Sequence, residues 1–184
     1  MAIDSRELPR LHVVTDDAVL AEQRFVERSL ALFAAFGPAI ALHLRSRVAS
    51  GRTLFDLAAR FAHGPSRLFV NDRADVALLV PGAGVQLRRD SLPLASARAL
   101  LGPERWIGYS AHEVAEARAA ARAGADFVIA GTIFESASHA GAAPRGIGFL
   151  ADLVRAAAVP VLAIGGITAE NCADCRRAGA HGVA

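Results

Sequence analysis

The chain has 184 residues, of which 53% are hydrophobic, enough to bury one sizeable core as a single α/β domain spanning 1–184. Its 20 basic residues, all arginine, nearly balance 18 acidic ones to give a net charge of +2, which excludes the electrostatic footprint of a protein built to bind nucleic acid or membrane surfaces. No N-terminal apolar leader segment and no apolar run of about 18 residues stands out. The sequence therefore predicts a soluble, cytoplasmic protein whose partners are small molecules, and it leaves a homo-oligomer open.

In chain order, the pattern is strand then helix, repeated. Residues 11–15 (LHVVT) read as a strand ended by Asp16 and Asp17, and 21–36 as a helix closed by Gly37-Pro38. Residues 39–44 (AIALHL) form the second strand, followed by the polar turn Arg45-Ser46-Arg47 and a helix over 53–62. The third strand, 67–70, runs into Asn71-Asp72 and a short helix at 74–80. The fourth, 84–87 (GVQL), is followed by a helix at 94–101 that Gly102-Pro103 stops. The fifth, 106–109, leads through Ser110-Ala111-His112 to a helix at 114–123. The sixth, 127–130, ends at Gly131 and opens the longest polar loop, 135–145, before a helix at 149–158. The seventh, 161–164, stops at Gly165-Gly166, and Thr168 then reads as the N-cap of a helix at 169–178. Gly182-Val183-Ala184 begins an eighth strand.

Apolar strands alternating with helices imply a parallel sheet covered on both faces. Seven complete units and the start of an eighth predict a (β/α)8 TIM barrel, C-terminally shortened, with the eighth strand only begun and the last helix missing. A doubly wound sheet is the alternative. A weak internal repeat supports regular units, because Ala123-Gly124-Ala125 and Ala178-Gly179-Ala180 each lead from a helix into a strand. Cys172 and Cys175 lie on one face of the last predicted helix and read as structural thiols, since a redox pair sits beside a helix N-terminus and zinc needs more ligands.

In such a barrel, chemistry sits at the C-terminal ends of the strands. Gly165 and Gly166 end the most apolar strand and offer bare backbone N–H groups to a phosphate, with a plain tight turn as the alternative. Arg45 and Arg47 are two apart and suit a phosphate or carboxylate, or else form a solvated turn. Asn71 and Asp72 either cap the next helix or take part in the site, where Asp72 could ligate Mg²⁺ only with other oxygen ligands. His112 is a candidate general acid/base. His139 reads as a residue of an exposed loop.

Taken together, these segments resemble the thiamine-phosphate synthase/TenI family. The likeness runs through LHVVTDD, HLRSR at 43–47, LFVNDRADVAL at 68–78, GVQL at 84–87, IGYSAHEVAEA at 107–117, GADFVIAGTIF at 124–134 and VPVLAIGGIT at 159–168. The resemblance implies a barrel and two activities. The synthase couples hydroxymethylpyrimidine diphosphate to thiazole phosphate, using Mg²⁺ held by two carboxylates, a basic pair after strand two and a Lys in the loop after strand six. The TenI-type tautomerase aromatises a thiazole carboxylate phosphate by moving a proton, without metal.

Asp72 matches the first synthase metal ligand. The second is replaced by Ser91 in Arg88-Arg89-Asp90-Ser91, the loop Lys by His139, and the Gln on the pyrimidine by His43. These departures point to the tautomerase: no cofactor, with Mg²⁺ only in the synthase reading. The resemblance then assigns proton transfer to His112 and phosphate binding to Gly165 and Gly166. It assigns contact with a small phosphorylated thiazole to His43, Arg45, Arg47, Asn71, Asp72, Ser110, Gly131, Thr132, Ser136 and Ser138. A synthase and a non-catalytic thiazole-phosphate-binding barrel are the alternatives.

Overall fold

The computed structural model describes residues 7–64, 67–136 and 143–184. Its elements are β1 (Leu11–Val14), α1 (Asp17–Leu20), α2 (Phe25–Phe36), β2 (Ile40–Leu44), α3 (Gly51–Phe61), β3 (Arg67–Asn71), α4 (Ala74–Leu79), β4 (Gly84–Leu87), α5 (Leu94–Leu101), β5 (Ile107–Ala111), α6 (Val114–Arg122), β6 (Phe127–Gly131), α7 (Gly146–Ala156), β7 (Val161–Ile164), α8 (Cys172–Arg177) and β8 (Gly182–Val183). The strands are hydrogen-bonded in sequence order into a closed parallel barrel, β1 to β8. The two residues of β8 pair with β7, Gly182 beside Leu162 and Val183 beside Ala163. The chain divides into two compact units, 1–85 and 86–184.

In the first unit, every residue of β2 is buried, as expected of a strand with neighbours on both edges and covered faces. β1 lies beside it with Val14 opposite His43, and β3 with Phe69 opposite His43. Phe25, Phe33, Ile40, Leu42, Leu44, Leu54 and Phe61 pack into one core cluster. α3 starts two residues before its expected position because Ser50 caps it, its hydroxyl accepting the Thr53 N–H. The helix expected at 21–36 begins later, as α2 at Phe25, and a separate short helix, α1, precedes it. Asp16, read as the end of a strand, is the N-cap of α1 and accepts the Val19 N–H at 2.8 Å.

In the second unit, Ile107, Phe127, Leu150, Leu153 and Leu162 are fully buried. α6 opens with a reciprocal cap between Glu113 and Glu116. The Arg98 guanidinium ties α5 to β6, donating to the carbonyls of Gly102, Arg105 and Gly124 and to the Asp126 carboxylate. α8 begins at Cys172, not at 169. Asn171 instead folds the preceding residues into a turn, accepting the Thr168 N–H at 2.8 Å and donating to the Gly166 carbonyl at 2.9 Å. Thr168 is therefore no N-cap, and α8, with six residues, supplies no helix terminus at Gly165-Gly166. Cys172 and Cys175 are free thiols.

Candidate active site

In the first unit, polar groups gather where β1, β2 and β3 end. Thr15 is buried and locks the exit of β2, its hydroxyl donating to the Arg45 carbonyl at 3.0 Å and accepting the Arg45 N–H at 2.9 Å. The next turn is held by Asp17, whose carboxylate accepts the Ser46 hydroxyl and the Arg47 N–H. The Ser46 hydroxyl, with the Arg47 and Val48 N–H groups and the Arg45 charge, lowers the Asp17 pKa against the opposing effect of burial. Ser46 in turn accepts the Val48 and Ala49 N–H groups. The backbone carrying Arg45 and Arg47 is thus fixed, while among the described residues neither guanidinium makes a hydrogen bond or ion pair. Two arginines two residues apart on a fixed backbone, with guanidinium donors not spent on hydrogen bonds among the described residues, are a natural receptor for an anion.

Asn71 closes β3 and Asp72 follows it in the left-handed region, at φ +60°. Asp tolerates this conformation better than most side chains, and such strain is concentrated at functional sites. The N-cap of α4 is Arg73, without a side-chain bond, so neither Asn71 nor Asp72 stands at the capping position. The Oδ1 atom of Asn71 is buried without a hydrogen bond.

His43 is placed differently from its sequence assignment. Its ring is wholly buried, stacked on Phe69 with centroids 4.6 Å apart, and its Nε2 lies 2.7 Å from Nδ1 of the buried His12. Burial, then the neighbouring His12, push its pKa well below the ordinary histidine value, while the Asn71 side chain acts weakly the other way. A ring with no exposed surface lies behind the site rather than in contact with a ligand.

In the second unit, His112 is exposed but held firmly. Its Nδ1 lies 2.9 Å from the Gly131 carbonyl, which can only accept, so Nδ1 carries the proton and Nε2 is the acceptor. Its N–H donates to Glu116 and its carbonyl accepts from Arg145. Burial opposes ionisation of Glu116, but the His112 and Glu113 N–H groups and the Arg89 guanidinium outweigh it and lower the pKa. Gln86, 2% exposed, donates to the half-buried Ser110 hydroxyl at 2.9 Å and keeps a buried Oε1 without a hydrogen bond. Glu116, Arg145 and His12 escaped sequence reasoning. Only Glu116 left a signal, as the second Glu of a capping box.

Gly165 and Gly166 have positive φ, and their N–H groups donate no hydrogen bond among the described residues. Both glycines also allow close packing: a Cβ on Gly165 would lie 2.5 Å from Thr132 Cγ2, and one on Gly166 2.0 Å from the Glu135 carbonyl oxygen. The loop after β6 is bound to this turn, Phe134 N–H donating to the Gly165 carbonyl at 3.0 Å. Thr132 accepts the Arg145 N–H through its carbonyl, Gly131 is buried and Ser136 is half-buried. Ser138 and His139 lie outside the described residues.

The carboxylates fit Mg²⁺ only in part. No group of three or more His, Cys, Asp or Glu side chains that could hold a metal occurs among the described residues. Ser91 spends its hydroxyl on its own turn, accepting the Arg88 N–H at 2.9 Å. With Asp72 as a carboxylate ligand, a Mg²⁺ ion would need substrate phosphate oxygens and water to complete its shell.

The fold and these residues define a parallel-barrel protein with polar groups gathered at its strand ends, where barrel enzymes place their chemistry. The family model for thiamine monophosphate synthase matches residues 11–184. The chain belongs to this family of thiamine-biosynthesis enzymes. It is 40% identical over 180 residues to thiamine-phosphate synthase of Chloroflexus aurantiacus, covering 95% of this chain and 82% of the relative. The Chlorobium luteolum enzyme of the same name is 40% identical over 187 residues, with 99% and 85% covered. A Synechococcus thiamine-phosphate synthase is 41% identical over 140 residues, of which this chain spans 39%. Thiamine phosphate pyrophosphorylase from Pyrococcus furiosus superposes with a TM-score of 0.75 at 29% identity, covering 95% of this chain and 84% of that one. These relatives overturn the tautomerase reading, for which His43, Ser91 and His139 were the main departures from the synthase pattern, and favour the synthase alternative.

Proposed function

We propose that the chain is a Mg²⁺-dependent thiamine-phosphate synthase. The thiazole nitrogen forms a bond to the pyrimidine methylene carbon as the carbon–oxygen bond to the diphosphate breaks, and pyrophosphate leaves with the electron pair. The observation that carries this reading is the ordered, unpaired Arg45 and Arg47 after β2, in a chain about 40% identical to synthases along nearly its whole length.

Arg45 and Arg47 are assigned to the diphosphate, where fixed positive charge stabilises the leaving group as its negative charge develops. Asp72 is the residue that would hold Mg²⁺, and the ion would neutralise the same charge. Asn71 is assigned to the same substrate. Gly165 and Gly166 are assigned to the thiazole phosphate through their N–H groups, and Ser110, Gly131, Thr132, Ser136 and Ser138 to further contacts. Joining the two substrates requires no proton shuttle, so His112 is assigned to substrate contact through Nε2, and the buried His43 acts from behind the site.

The test is pyrophosphate release from hydroxymethylpyrimidine diphosphate and thiazole phosphate, with Mg²⁺ and after its removal by chelation. The expected outcome is release that requires both substrates and Mg²⁺. Absence of release with both substrates and Mg²⁺ present would overturn the reading.

A further inference from the structure

We propose that the buried His12–His43 pair is a positioning device for Asn71, holding the carboxamide with Nδ2 toward His43 and Oδ1 turned away from it. The inference follows the hydrogens from the back of the pair forward. His12 Nε2 lies 3.1 Å from the carbonyl oxygen of Pro9. A carbonyl can only accept, so this nitrogen carries the proton, and in a neutral ring Nδ1 is then a lone pair. That lone pair lies 2.7 Å from His43 Nε2, which must therefore be the protonated nitrogen of its ring. The remaining nitrogen of His43, Nδ1, is an acceptor; Phe69 lies opposite His43 in the sheet, and Asn71, two residues further along β3, shares that face and is the side chain of β3 that acts on the ring electrostatically. An acceptor calls for the amide's N–H₂ group. Asn71 Oδ1 is itself buried without a hydrogen bond; an amide that presents Nδ2 to the ring supplies the donor and leaves the oxygen on the other side.

The order is thus Asn71 to His43 to His12 to Pro9, every donor pointing the same way. Phe69 prevents rotation of the rings, stacking on His43 at 4.6 Å and on His12 at 5.8 Å. Burial, then the neighbouring His12, favour the neutral form of His43 that this order requires. Asn71 therefore offers an acceptor beside Asp72, which selects a ligand group that donates. The assignment of that donor to the pyrimidine substrate rests on the synthase reading, whereas the orientation itself does not.

Two measurements test this. In ¹⁵N-histidine-labelled protein at about pH 8, above the ordinary histidine range, long-range ¹H–¹⁵N spectra report which ring nitrogens are protonated. Protonated Nε2 and bare Nδ1 on both His12 and His43 are expected; a proton on His43 Nδ1 overturns the proposal, whether or not the protein is a synthase. In the second, His12→Phe keeps the ring against Phe69 but removes the acceptor. It is expected to raise KM for the pyrimidine diphosphate about tenfold, the scale of one hydrogen bond, with a smaller change in kcat. It should add nothing further in an Asn71→Ala background. Equal penalties in both backgrounds would make His12 merely structural and overturn its action through Asn71.

Discussion

Gly166→Ala separates packing from ligand binding at the turn after β7. A Cβ there would lie 2.0 Å from the Glu135 carbonyl oxygen and 2.9 Å from both the Glu135 carbonyl carbon and Phe134 Cβ. Two of those atoms are backbone, so the loop after β6 must move rather than rotate a side chain aside. Overpacking of this kind costs about 1–3 kcal/mol, and an L side chain at φ +62° adds about 1–2 kcal/mol. The sum is about 2–5 kcal/mol, a large share of the roughly 5–15 kcal/mol that holds a domain folded. At about 2–4 °C per kcal/mol for a chain of this size, Tm should fall by roughly 4–20 °C in a thermal melt without ligands. A variant that melts with the wild type would refute this reasoning and leave phosphate binding as the sole reason for the glycine.

Two further outcomes follow from the first unit. Arg45→Gln should raise KM for the diphosphate substrate about 10- to 100-fold, the worth of hydrogen bonds between charged groups, while changing stability by no more than about 0.5 kcal/mol because its guanidinium makes no hydrogen bond or ion pair among the described residues. An unchanged KM in steady-state kinetics would remove Arg45 from the site. His43 makes stability depend on pH: its folded pKa lies well below the unfolded value of about 6.5. Between those two values the unfolded chain binds the extra proton. Stability is therefore fully present above about pH 6.5 and declines as the pH falls below it, by about 1.4 kcal/mol per unit for one proton. Urea unfolding from pH 7.5 to 5.5, compared with His43→Gln, should show the variant losing about one proton's worth of slope; identical slopes would count against a buried neutral ring.

All eight strands were legible because each is a short apolar run ended by glycine or polar residues, and β2 carries that signal at every position. Helix boundaries were less so. The start of α1 depends on the Asp16 cap, and the break before α2 on a turn in which Glu22 N–H donates to the Val19 carbonyl and Phe25 N–H to the Glu22 carbonyl. The start of α8 depends on Asn171 bonding back to Gly166 and Thr168. The strand-end rule picked Arg45, Arg47, Asn71, Asp72 and His112 directly. It misplaced His43, since position along a strand does not say whether a side chain reaches the ligand or lies behind another residue. The choice of activity went astray for a related reason: three substitutions were weighed more heavily than the rest of the chain, whose similarity to synthases runs over about 180 residues.

The sequence by itself determined the repeat of strand and helix, the order of the barrel and the residue types at its strand ends, because these follow from hydrophobic periodicity and local turn chemistry. Tertiary structure alone decided which of those residues stand unpaired, that His43 is backed by a histidine 31 positions earlier, and that Gly166 must be bare because the Glu135 carbonyl lies where a side chain would begin. Those are contacts between segments far apart in the chain, and no local pattern of residues encodes the distance between them.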